Sequence, residues 1–94
     1  MVFNLDIGTR LKKQGWKVKI HDNERLEDPH VTIYFKLEKW RLSLRSGDFL
    51  DRGDKWNQIE DRVQEYIEAN WDLLIEEWES IHPDNPIETE NEQD

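Results

Sequence analysis

His21 and His30 stand at either end of the segment DNERLEDP, on one predicted sheet face with Lys19 and Arg41. Two imidazoles beside cations and a tyrosine suit general acid–base cleavage of RNA. One group takes the 2′-hydroxyl proton while another protonates the leaving oxygen. His30 is the candidate catalytic residue, with Lys36 and Arg41 placed to stabilise phosphate. The competing reading is a pair of strand-end histidines with no chemistry, because no fixed motif spacing joins them. Whether the chain is an enzyme stays open at this level.

The same segment, with its flanking histidines, puts His21, Asp22, Glu24, Glu27, Asp28 and His30 within ten residues. These are donors for a hard cation, but the order of an EF-hand loop and its glycine are absent, so no metal is expected. Asp48, Asp51 and Asp54 precede a helical pattern and read as helix-start residues, while Glu76, Glu77 and Glu79 read as a solvated face. His82 suits the C-terminal end of a helix. There is no cysteine, hence no disulfide framework or thiolate nucleophile. Nothing resembles a P-loop or a dinucleotide fingerprint, so no cofactor is expected.

Three strand-like segments must position these groups. Trp16, Val18 and Ile20 alternate with Lys17, Lys19 and His21; Val31, Ile33 and Phe35 with His30, Thr32, Tyr34 and Lys36. Trp40, Leu42 and Leu44 alternate with Arg41, Ser43 and Arg45, and Leu37–Lys39 reads as a short hairpin connection. Such alternation marks a sheet buried on one face. Residues 4–14 read as a short helix with Asn4 as N-cap and Gly15 as stop signal. After Lys55 the period changes: Trp56, Ile59, Val63, Tyr66 and Ile67 form one helical stripe. Asn70 reads as the N-cap of a second helix carrying Trp71, Leu74, Ile75 and Trp78. The expected architecture is α+β, in the order α-β-β-β-α-α. A three-stranded antiparallel sheet carries the N-terminal and two C-terminal helices on its apolar face. One domain over residues 1–83 is expected, with 84–94 a disordered acidic tail.

Lys17, Lys19, Lys36, Arg41 and Arg45 then share the outward face with His21, His30 and Tyr34, and no carboxylate interrupts them. A face chosen only for solubility would mix both signs. The bias matches a lopsided chain: residues 1–47 hold ten Lys/Arg against six Asp/Glu, and residues 48–94 three against sixteen. The whole carries −9, which opposes phosphate except where the acidic half faces away. The expected binding residues are Lys17, Lys19, His21, Tyr34, Lys36, Arg41 and Arg45. Their expected partner is an acidic protein, with RNA as the alternative. An ordinary solvated face is the bland alternative. Asp6 and Arg10 interrupt the apolar character of the first residues, which argues against a signal peptide. No apolar run reaches the ~20 residues of a membrane span, so a cytoplasmic location is expected and a membrane partner is not.

Pro29-His30-Val31-Thr32, Arg45-Ser46-Gly47-Asp48-Phe49-Leu50 and Asn70-Trp71-Asp72-Leu73-Leu74-Ile75-Glu76-Glu77-Trp78 occur in that order over residues 29–86. The arrangement resembles a family of small bacterial proteins with a Pro-His strand and two C-terminal helices. The resemblance implies a place in a toxin–antitoxin-like gene pair and no particular activity. Members usually carry a second histidine where this chain has Thr32. A second likeness is architectural: a helix ending in Leu11-Lys12-Lys13-Gln14-Gly15-Trp16, then three strands with a histidine on the second, then a helix. This is similar to RNase toxins of double-stranded-RNA-binding-like fold, and it implies His30 as the catalytic histidine. Their Gly-Ser/Thr-His segment is here Asp28-Pro29-His30, without the glycine. The expected function is therefore a small interaction module whose basic sheet face binds an acidic partner, in a toxin–antitoxin-like pair. The alternative is an RNase-type toxin.

Overall fold

Alternating side chains build an antiparallel sheet of four strands, ordered as they occur in the chain. The computed structural model describes residues 2–21, 28–85 and 87. Strands are β1 (Phe3–Asn4), β2 (Trp16–Ile20), β3 (His30–Phe35) and β4 (Glu38–Ser43); helices are α1 (Thr9–Gln14), α2 (Asp61–Ala69) and α3 (Trp71–Ile81). A 3-10 turn at Trp56–Gln58 precedes α2.

The class is α+β, but the sheet has four strands rather than the expected three. Phe3 and Asn4 pair with Ile20 and Lys19, and the Leu5 amide donates to the Val18 carbonyl at 2.9 Å. The expected helix over 4–14 is accordingly shorter and starts at Thr9. Gly8 takes φ 87, which a helix interior does not accommodate, and its amide donates to the Asp6 carboxylate at 3.0 Å. At the other end Gly15 sits at φ 111 and closes α1 with its amide on the Leu11 and Lys12 carbonyls.

The hairpin also differs from expectation. Phe35 faces Glu38, so the turn is Lys36–Leu37 and Lys39 belongs to β4, opposite Tyr34. Asn70 separates α2 from α3, but its side chain does not cap α3. The amide donates back to the Tyr66 carbonyl at 2.8 Å and finishes α2.

Register fixes the core. Trp16 lies opposite Phe35, Val18 opposite Ile33 and Ile33 opposite Trp40. Trp16, Val18, Ile33 and Trp40 join Val63, Ile67, Leu74 and Trp78 of the helices in one buried cluster, with Phe35 partly buried against it. Burying each Val, Leu or Ile contributes roughly 1.5–3 kcal/mol, so this face is the principal source of stability.

The packed unit runs beyond Pro83. The Trp78 indole donates to the Asn85 carbonyl at 2.8 Å, Ile87 is buried, and the Ile87 amide donates to Glu79 at 3.2 Å. Residues 88–94, the rest of the expected acidic tail, lie outside the described residues. Among the described residues no helix is long and apolar enough to cross a membrane.

Candidate functional site

A two-residue alternation sends Lys17 and Lys19 to the same side of β2, about 7 Å apart along the strand. Register brings Tyr34 beside Lys17 and Thr32 beside Lys19. The β3–β4 turn carries Lys36 back toward the end of α1, where its amide meets the Gly15 carbonyl at 3.5 Å. The result is a groove of about 460 Å³ lined by Gly15, Lys17, Lys19, Tyr34 and Lys36. Among the described residues no carboxylate lines it.

Among the described residues, Lys17, Lys19 and Lys36 have no carboxylate at ion-pair distance. Lys19 instead stands 5.9 Å above the Tyr34 ring, and Lys36 is 5.2 Å from the Phe35 ring. Such contacts favour an ammonium without neutralising it. Tyr34 is fixed in turn by His21, whose Nε2 shares a 2.7 Å hydrogen bond with the phenol oxygen. His21 thus supports the groove from its far end. Lys36 holds φ 55, a left-handed backbone that costs a lysine energy. That conformation belongs to the turn after β3, and Lys36 lines the groove there.

The other expected site residues are placed differently. Arg41 shares the polar face in one cross-strand row with Lys19 and Thr32 but does not line the groove, and its guanidinium grips Asp51 at 2.6 and 3.1 Å. The hydrogen bond from Arg41 holds the Asp51 carboxyl below the usual aspartate range. Arg45 follows the last pair of β4, His30 with Ser43, while Lys36 follows Phe35 at the other end of the ladder. They are separated by about 20 Å of strand, so Arg45 does not line the groove.

His30 departs most from the expected surface. Its parity puts it with Thr32 and Tyr34, yet it is 0 % exposed. Its Nδ1 donates to the Asp28 carbonyl at 2.8 Å, and Trp78 lies 5.8 Å from its ring. Trp78 is also 4.1 Å from His82, whose Nε2 donates to the His21 carbonyl at 2.6 Å. The last turn of α3 thus closes over the strand end that carries His30. Asp22, Glu24 and Glu27, the candidate cation donors, lie outside the described residues.

Lys39 was missed by assigning it to the hairpin turn. It stands opposite Tyr34, so Lys17, Tyr34 and Lys39 form one cross-strand row. Extending the 41, 43 parity back by two residues would have found it. No protein-family model matches the chain, and no curated protein or solved structure is significantly similar to it. The α+β class and the groove are defined by the chain's own residues.

Proposed function

We propose that this protein is an interaction module that docks an acidic segment of a partner protein in the groove between β2 and the β3–β4 turn. One observation carries the reading: Lys17, Lys19 and Lys36 converge on a single groove that no carboxylate of the described residues lines, in a chain whose net charge is −9. Concentrating like charge at one place is a cost, and a complementary partner offsets it. Tyr34 adds the amphipathic ring common at interface centres. The resemblance to the Pro-His family suggests a context, one member of a toxin–antitoxin-like pair with the acidic member as its partner.

The RNase reading has less to stand on. A nucleophile's proton must lie within hydrogen-bond reach of its base, and the His30 ring is wholly buried against Trp78.

Fluorescence anisotropy with a labelled Asp/Glu peptide and, separately, a labelled single-stranded RNA distinguishes the two. Binding of the peptide that weakens between 0.05 and 1 M salt, roughly as the screening length shrinks to 3 Å, is expected. It should also weaken in Lys19→Glu. Preference for the RNA, with cleavage that stops in His30→Ala, would overturn the proposal.

A further inference from the structure

A second cavity, of about 300 Å³, opens on the other side of the Lys17–Lys19 ridge. Its floor is formed by the edges of core residues Leu5, Ile7, Trp16 and Val18, each 5 % exposed or less, from the β1–α1 connection and β2. Its rim is basic, with Lys12 of α1 joining Lys17 and Lys19. The size is at the bottom of the roughly 300–1,000 Å³ of small-molecule sites, room for one bulky side chain and little more. We infer that this pocket takes an apolar side chain, aromatic or leucine-like, from the same acidic segment whose carboxylates occupy the groove. The inference rests on the groove reading and specifies the partner: acidic residues on both sides of one apolar anchor.

The geometry of an extended chain makes the match specific. Neighbouring side chains point to opposite sides, and those at i−1 and i+1 are about 7 Å apart on the same side. A segment laid along the ridge would turn its anchor into the apolar pocket. Its two flanking carboxylates would face the groove, at the spacing of Lys17 and Lys19. Lys12 lines only the pocket and Lys36 only the groove, so the two halves can be perturbed separately. Lys12 is already drawn to Asp6 at 3.7 Å, an exposed pair that an incoming carboxylate can replace.

The test uses labelled peptides of two glutamates, one central residue and two glutamates, with Phe or Ala at the centre. The Phe peptide is expected to bind at least about tenfold more tightly. Asn4→Trp, at the exposed lip of the pocket, should erase that gap by lowering the affinity of the Phe peptide to that of the Ala peptide. If Asn4→Trp does not fold, methyl NMR of the unaltered protein serves the same end. Leu5, Ile7 and Val18 signals should move with the Phe peptide and stay put with the Ala peptide. Equal, salt-sensitive affinities for the two peptides would overturn the pocket inference and leave the groove reading standing. No binding of either at low salt would overturn both. Concentration-dependent dimers abolished by Asn4→Trp would also overturn it, since the pocket would then hold a second copy of this chain.

Discussion

Lys36 joins a strained backbone to a functional charge, and two substitutions can separate these roles. At φ 55 an ordinary side chain costs about 1–2 kcal/mol. Asparagine tolerates that region, whereas a β-branched residue there is a true outlier. Lys36→Asn and Lys36→Val both remove the ammonium and its contact with Phe35, worth about 0.5–1 kcal/mol at an exposed site. For Lys36→Asn the relief and the lost contact nearly cancel, so its melting temperature should stay close to that of the parent. Lys36→Val keeps the strain lysine already bears, adds the penalty of a β-branched side chain there and loses the Phe35 contact, together about 1–2 kcal/mol. For a domain of this size that corresponds to roughly 5–15 °C, and Lys36→Val should melt lower by that amount. Both variants should lose acidic-peptide affinity alike, about two- to fivefold for one lysine. Differential scanning calorimetry and anisotropy on the same samples read both quantities. Equal melting temperatures would refute the strain argument, and unchanged affinity in both would remove Lys36 from the groove's work.

Other outcomes follow from specific contacts. Gly15→Ala should cost about 1–3 kcal/mol in urea unfolding, because φ 111 excludes a side chain and the new Cβ would crowd the Lys36 Cγ at 3.4 Å. Asp51, held low by Arg41, contributes stability above the ordinary aspartate value near ~4 and loses it as pH falls through its lower folded value. Asp51→Asn should therefore cost less than about 1 kcal/mol at neutral pH, the pair being partly exposed, and should flatten the acid limb of a melting-temperature profile. A chain ended after Pro83 should lose about 2–4 kcal/mol, since it gives up Ile87 burial and the Trp78–Asn85 hydrogen bond. Unfolding at the same urea concentration as the longer chain would place the boundary back at Pro83.

Alternation made the sheet faces legible, since Trp16, Val18, Ile20, Ile33, Trp40 and Leu42 are buried together as their spacing required. The strand at Phe3–Asn4 was not legible, because two residues carry no period and Asn4 is an equally good helix cap. Asn70 shows the same ambiguity from the other side, with one amide able to begin a helix or finish the previous one. Lys17, Lys19, Tyr34 and Lys36 were assigned to one surface, and they do meet in one groove. His30 and Arg45 show where parity stops being informative. Parity assigns a face, but Trp78 and His82, some fifty residues further along the chain, decide that the His30 end of that face is covered. Arg45 lies past the last strand pair, where alternation no longer applies.

The most direct measurement maps the backbone amide shifts of the ¹⁵N-labelled protein as the Glu-Phe-Glu-type acidic peptide is added at low salt. Shifts concentrated at Lys17, Lys19, Tyr34 and Lys36, and suppressed at 1 M salt, are expected. Shifts centred instead on the hollow of Arg62, Glu65, Tyr66 and Ala69, or spread evenly over the surface, would contradict the groove as the docking site.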